Sequence, residues 1–402
     1  MNISDTVDLI LNIIAAVLII WIALELSAYT LIRYAKKYHW AIGICTVLVT
    51  INPFDATAYL NRSWAYLEVE EYQKVIQNAD RIITLNAKFS RLVSNSNLAK
   101  AYNNRAIAYR NLKQYERAIV DYDQAIALDP NYAAAYNNRG VTYRNLKQYE
   151  RAIDDFNHAL EIKFGNTLAY YNRGITYYLL KEYQRAIRNF DSALELNPKD
   201  TSAYFGRGTA RYRLKEYEQA IQDFNHALTL DAKNNWSYHN RGVSFLGLGN
   251  IKQGLADFIK AQEINPTYVG HAWMALWSEM CLNQAGEGEA EKLEAIAAVD
   301  PKHHIAYICR GVALCLRGNF EQSLIELEQA ILLEPDEWDK YFWAGMACAS
   351  LGRDQEAIGA LEHSLASGLP PVLLAPLRWL EQDKPKFYEN HVKALLARYK
   401  GV

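Results

Sequence analysis

The sequence predicts an all-α solenoid of paired helices, preceded by one transmembrane helix. Three observations carry that reading. Residues 101–119, AYNNRAIAYRNLKQYERAI, return almost unchanged at 135–153 as AYNNRGVTYRNLKQYERAI, a period of 34. Each period divides into two stretches with small and aromatic residues at helical spacing, closed by turns such as LDPN (128–131), LNPK (196–199), INPT (264–267) and LEPD (333–336). No stretch reads as a strand. A fixed period in a 402-residue chain argues for one long array rather than several unlike domains.

Residues 1–33 read as an N-terminal tail and membrane anchor. LILNIIAAVLIIWIAL at 9–24 carries no charge, and a helical span needs roughly 20 apolar residues. A cleaved signal peptide is the weaker reading, because MNISD lacks a basic residue and no A-x-A site follows. Asp5 and Asp8 precede the span while Arg33, Lys36 and Lys37 follow it, which places the remainder in the cytoplasm. Five cysteines (45, 281, 309, 315, 348), odd in number and without a CxxC, agree as free thiols of a reducing compartment.

Residues 34–55 form a juxtamembrane half-repeat. Tyr38-HWAI and the following Ile51-Asn52-Pro53 align without a gap with Tyr183-QRAI and Leu196-Asn197-Pro198, so 38–53 is expected to be the second helix of a degenerate leading repeat. Its polar face has become apolar, which fits lipid or the anchor. The alternative, a second span at 40–51, is too short. The first full repeat is 56–89, and 90–98 is an insertion that makes a bend or lengthens a helix. Eight repeats fill 99–371, of which 269–303 is degenerate. The period ends at Pro370-Pro371, and 372–402 reads as capping helices that cover the last repeat.

These residues resemble the tetratricopeptide repeat (TPR) family, whose small and aromatic positions are met by Tyr136, Gly140, Tyr143, Ala152, Phe156 and Ala159. Phe164 stands where the family has a turn proline. The resemblance implies a right-handed superhelix of helix-turn-helix units and a concave groove that binds protein segments.

Position 7, an apolar Leu in that family's pattern, is here Arg62, Arg105, Arg139, Arg173, Arg207, Arg241 and Arg310. A half-buried guanidinium needs a partner. Sixteen residues on stand Asn78, Asp121, Asp155, Asn189, Asp223, Asp257 and Glu326, so a structural bridge between the two helices of each repeat is expected, with no ligand role.

Carried over by position, the groove is lined by Asn103, Asn104, Arg110, Asn137, Asn138, Arg144, Tyr171, Asn172 and Tyr178, and further along by Tyr212, Arg213, His239 and Asn240. An amide both donates and accepts, so an asparagine row suits an extended peptide backbone, and the arginines favour acidic segments. The row resembles the asparagine ladder of the nuclear and cytoplasmic N-acetylglucosamine transferase. The basic pairs of the chaperone carboxylate clamp are absent.

Net charge is −2, with 43 basic and 45 acidic residues, which gives nucleic acid no whole-chain attraction. No phosphate loop, dinucleotide fingerprint, HExxH or GxSxG occurs. His303-His304 read as solvated turn residues. The expectation is therefore a membrane-anchored, non-enzymatic scaffold or adaptor with no cofactor or metal, whose partner is a protein or peptide. Alternatives are a component of an envelope transport or assembly machine with its array outside, and a non-catalytic regulatory subunit of an enzyme.

Overall fold

The computed structural model describes residues 38–89, 93–282 and 288–399, and the chain falls into two compact parts that divide between Glu182 and Tyr183. The anchor expected at 1–33 lies outside the described residues. Among those described, no helix is long and apolar enough to cross a membrane.

The N-terminal part opens on α1 (Tyr38–Ile51), the expected half-repeat. Three full repeats and the first helix of a fourth follow as α2 (Ala56–Glu68), α3 (Tyr72–Lys88), α4 (Asn95–Asn111), α5 (Tyr115–Leu128), α6 (Ala133–Asn145), α7 (Tyr149–Ile162) and α8 (Thr167–Leu179). Three of the four first helices start on side-chain caps: Asp55 accepts from the Ala58 amide, Ser94 from Asn97 and Asn166 from Ala169, whereas α6 has no side-chain cap at Tyr132. Of the expected insertion, residues 95–98 belong to α4, which begins at Asn95 and buries Leu98.

Within a repeat the first helix ends on one recurring turn. In the turn after α4, Gln114 N–H donates to Tyr109 O and Lys113 N–H to Arg110 O, which closes the helix with Lys113 in the left-handed region at φ 60°. Glu70, Lys147 and Lys181 repeat it in this part; in the C-terminal part Lys215 does so too, and Gly249, Gly318 and Gly352 fill the same place in later repeats. A side chain there costs about 1 kcal/mol against glycine, and the greater freedom of unfolded glycine takes back part of it. Lys147→Gly is therefore expected to stabilise the protein by about 0.5 kcal/mol, read as a raised denaturant midpoint.

The core of each repeat is a close approach. Tyr122 and Phe156 are fully buried on the second helices, against Ala or Gly on the first. A Cβ on Gly140 would stand 2.8 Å from Phe156 Cε1 and 3.1 Å from the Ala152 carbonyl, so that position has no room for a side chain.

The C-terminal part continues from α9 (Tyr183–Leu196) through α10 (Thr201–Arg213), α11 (Tyr217–Leu230), α12 (Asn235–Gly247) and α13 (Ile251–Ile264). The degenerate repeat is α14 (Val269–Leu282) and α15 (Gly288–Val299). Its Trp273 and Trp277 are fully buried with their rings together, and Trp277 lies against Trp338, Phe342 and Trp343, so bulk replaces the small-residue packing of the regular repeats. Then come α16 (His304–Leu316), α17 (Phe320–Leu333), α18 (Asp339–Ser350) and α19 (Asp354–Ala366). A 3-10 turn, Pro371–Arg378, and short helical pieces to Tyr399 bury Leu374, Leu377, Leu380, Val392 and Leu395 while Glu381, Asp383 and Glu389 stay exposed, as a cap requires. The five cysteines are free, and burial pushes Cys281 and Cys315 up to about 12, far from a reactive thiolate.

Candidate peptide-binding face

Two rows of side chains run along the first helices, and the structure gives them different work. The position-7 arginines face inward. Arg139 Nε and Nη2 donate to the two Asp155 oxygens at 2.9 and 2.7 Å, a bidentate fork, while Nη1 donates to Asp123 at 2.5 Å. Arg105 holds Asp121 and Asp80 in the same way, Arg207 holds Asp223 and Asp191, and Arg241 holds Asp257 and Asn225. Arg310 bonds Glu326 at 2.7 Å, Arg62 bonds Asn78 at 2.7 Å, and Arg173 reaches Asn157 at 2.6 Å.

The first acceptor, sixteen residues on, was legible within one repeat. The second belongs to the preceding repeat and was missed, although Asp123, Asn157, Asp191 and Asn225 recur every 34 residues. The guanidiniums of Arg105, Arg139, Arg207 and Arg241 thus each tie three helices. The partner of Arg105 lies 25 residues back instead of 16, because the nine-residue insertion intervenes and the spatial contact is kept. Every one of these arginines also lies over the tyrosine three residues before it, as in Arg139 over Tyr136 at 5.5 Å. Burial alone would lower Arg139, but the Asp155 and Asp123 bonds hold it above its ordinary value; burial also lifts the Asp155 carboxyl.

The asparagines form the second row. Asn138 Nδ2 donates to Asn103 Oδ1 at 3.0 Å, and Asn172 Nδ2 to Asn137 Oδ1 at 3.1 Å, so each position-6 amide clips back onto position 5 of the preceding repeat. Asn103 and Asn137 are buried. Asn104 stands beside Asn103 at 3.5 Å. The row is consequently a bonded chain between repeats, and the half-exposed Asn138 retains one N–H and its carbonyl oxygen for a ligand.

Arg144 joins that chain, donating to Asn172 Oδ1 at 3.2 Å. Among the described residues neither Arg144 nor Arg110 is paired with a carboxylate, unlike the position-7 arginines. Burial lowers Arg144, Tyr171 opposes the shift, and the nearby charge of Arg110 adds to it, so two guanidiniums share one face without compensation. Tyr171 and Tyr178, seven residues apart on α8, extend the same face.

In the C-terminal part the carried-over positions behave differently. Asn240 Nδ2 turns back to its own helix at Trp236 O, 3.0 Å, so it continues no inter-repeat clip. The half-exposed Tyr212 has its ring 5.8 Å from Tyr217 and packs against the core on that side. Arg213 is exposed at the end of α10.

Sequence reasoning also missed a histidine pair, the fully buried His271 with the half-exposed His239. The Asn235 amide nitrogen lies 3.0 Å from His271 Nε2 and can only donate, which leaves the His271 proton on Nδ1, 3.0 Å from His239 Nδ1. Burial holds His271 at about 4, and burial together with His271 holds His239 at about 3. The signal was positional: the third residue of a repeat is Ala or Ser in seven of nine repeats and fully buried in all, yet is His271 and Lys340 in the other two. His304, expected as solvated, is mostly buried with Nε2 3.3 Å from Glu337 Oε2. No group of metal-ligating side chains occurs among the described residues.

No curated protein matches the chain. Among solved structures it is similar to YrrB, described as a TPR protein with an unusual peptide-binding site, at 28% identity over 45% of this chain and 91% of that one, with a TM-score of 0.39. It is also similar to pilF of Pseudomonas aeruginosa (18% identity, 54% and 94% covered, TM-score 0.47) and to a tetratricopeptide repeat protein of Parabacteroides merdae (16%, 73% and 98%, TM-score 0.46). Tetratricopeptide repeat models match 99–132, 133–166, 167–200, 201–234, 237–268 and 317–368, together more than half of the residues. With its paired helices and recurrent close-packed positions, the chain belongs to the tetratricopeptide repeat family.

Proposed function

We propose that the protein is a non-catalytic scaffold, attached to the cytoplasmic side of a membrane by residues 1–33, that holds an extended acidic segment of a partner protein on the face formed by α4, α6 and α8. The observation carrying this reading is the uncompensated pair Arg110 and Arg144 beside the asparagine chain. A carboxylate there would relieve their mutual repulsion and take charge-assisted hydrogen bonds, while the open N–H and carbonyl of Asn138 suit a peptide backbone. The aromatic residues Tyr171 and Tyr178 supply contact area for apolar side chains next to the acidic ones.

Selection of peptides from a random displayed library on the purified chain tests this directly. Peptides rich in Asp and Glu are expected, and Arg110→Ala/Arg144→Ala should weaken the selected peptide by about tenfold to a hundredfold, the worth of a hydrogen bond to a charged group. Recovery of basic or uncharged peptides that the double variant binds equally well would remove the proposal.

A further inference from the structure

The outer face of α1 differs from those of α7 and α9; α17 also exposes Ile325 and Leu332, but its exposed side carries Glu321 and Glu328 as well. Its buried side matches α7 residue for residue: Ala41, Cys45, Leu48 and Val49 stand where Ala152, Phe156, Ala159 and Leu160 do, all buried. The opposite side does not. Where α7 exposes Arg151, Asp154, His158 and Glu161, α1 exposes Trp40, Gly43, Val47 and Thr50; α9 in the C-terminal part has Arg185, Arg188, Ser192 and Glu195 at those places. Trp40 is 72% exposed, Val47 51% and Ile51 62%, on one side of the helix at i, i+7 and i+11, and no charge occurs from 40 to 54. Its two exposed threonines turn their hydroxyls to the helix, Thr46 Oγ1 donating to Ile42 O and Thr50 Oγ1 to Thr46 O, both at 2.7 Å, and Thr46 Oγ1 also accepts from Arg62 Nη1 at 3.4 Å. Exposed threonines on other second helices, Thr84 and Thr229, make the same bond, so it leaves each hydroxyl proton satisfied whatever the surrounding.

We infer that this face of α1 lies in the membrane interface, seated among lipid headgroups and upper acyl chains, and so sets the first repeats directly against the bilayer. The inference rests on the membrane attachment proposed above. Lipid fits better than a protein partner for two reasons. The chain leading into Tyr38 carries the uncharged run 9–24 followed by Arg33, Lys36 and Lys37, which brings α1 to the headgroup level with basic residues for anionic lipid. A tryptophan at the start of the stripe is also the side chain that this interface favours. The helix is too short to cross, so it lies flat.

The test uses the full chain in phosphatidylcholine/phosphatidylglycerol vesicles, with p-benzoylphenylalanine placed at position 47 or, as control, at 158. Photolysis should give lipid adducts at 47 and none at 158. Adducts of 47 with residues 1–37 or with a second copy, or no lipid adduct while the chain floats with the vesicles, would overturn the inference and leave the anchor standing. Failure of the chain to float would remove the anchor and this inference together.

Discussion

Asp155→Ala is expected to destabilise the N-terminal part by about 3 kcal/mol, measured as a lowered denaturant midpoint. The carboxylate is 5% exposed and accepts a bidentate fork from Arg139, itself 19% exposed. Removing it leaves the guanidinium largely buried with only the half-exposed Asp123 as a counter-charge. Because the pair is desolvated, its net worth against an apolar replacement is small, and Arg139→Leu/Asp155→Ala should recover to within about 1 kcal/mol of the parent. The family's usual leucine at this position fits that expectation. Single and double changes that simply add would show that the arginine contributes through packing instead of through the pair.

Acid should loosen the C-terminal part well before ordinary carboxylates titrate. His271 is fully buried and held at about 4, and His239 at about 3, both below the ordinary 6.5. A depressed imidazole gives stability that is fully present above pH 6.5 and is lost as pH falls toward the folded value, since the unfolded chain takes up a proton that the folded chain refuses. The slope is about 1.4 kcal/mol per pH unit for each group, so His271 alone should cost about 2 kcal/mol at pH 5. The structural cause is specific: a proton on His271 Nε2 would face the Asn235 amide, and one on His239 Nδ1 would face the His271 N–H. The Asp339 carboxyl, which burial raises, works in the opposite direction, so His271→Ser is the control. Ser237 fills that place one repeat earlier. The variant should lose about half of the pH 5 to 7 dependence seen by thermal unfolding. An unchanged slope would remove the histidine pair as its source.

Most of the fold was legible because the 34-residue period repeats the same packing problem. A residue such as Gly140 is small because Phe156 occupies its space, and the same pairing recurs as Gly208 with Phe224 and Gly242 with Phe258. The arginine bridges were legible in part, since Arg139 and Asp155 lie within one repeat, whereas Asp123 lies in the repeat before. The site was less legible for a related reason. Asn103 and Asn138 are bonded partners 35 residues apart, and nothing in either segment alone distinguishes a bonded amide from a solvated one. Position alone likewise does not show that the Tyr212 ring meets Tyr217 or that the Asn240 amide bonds the main chain of its own helix. The histidine pair needed a different comparison, that of one buried position across all repeats.

Calorimetric titration of one acidic peptide from the selection into the parent chain and into Arg144→Ala, at two salt concentrations, tests the central claim most directly. The account predicts that affinity falls by about tenfold or more in the variant and that the parent, more than the variant, weakens as salt rises. Equal affinity and equal salt dependence for the two chains would contradict it.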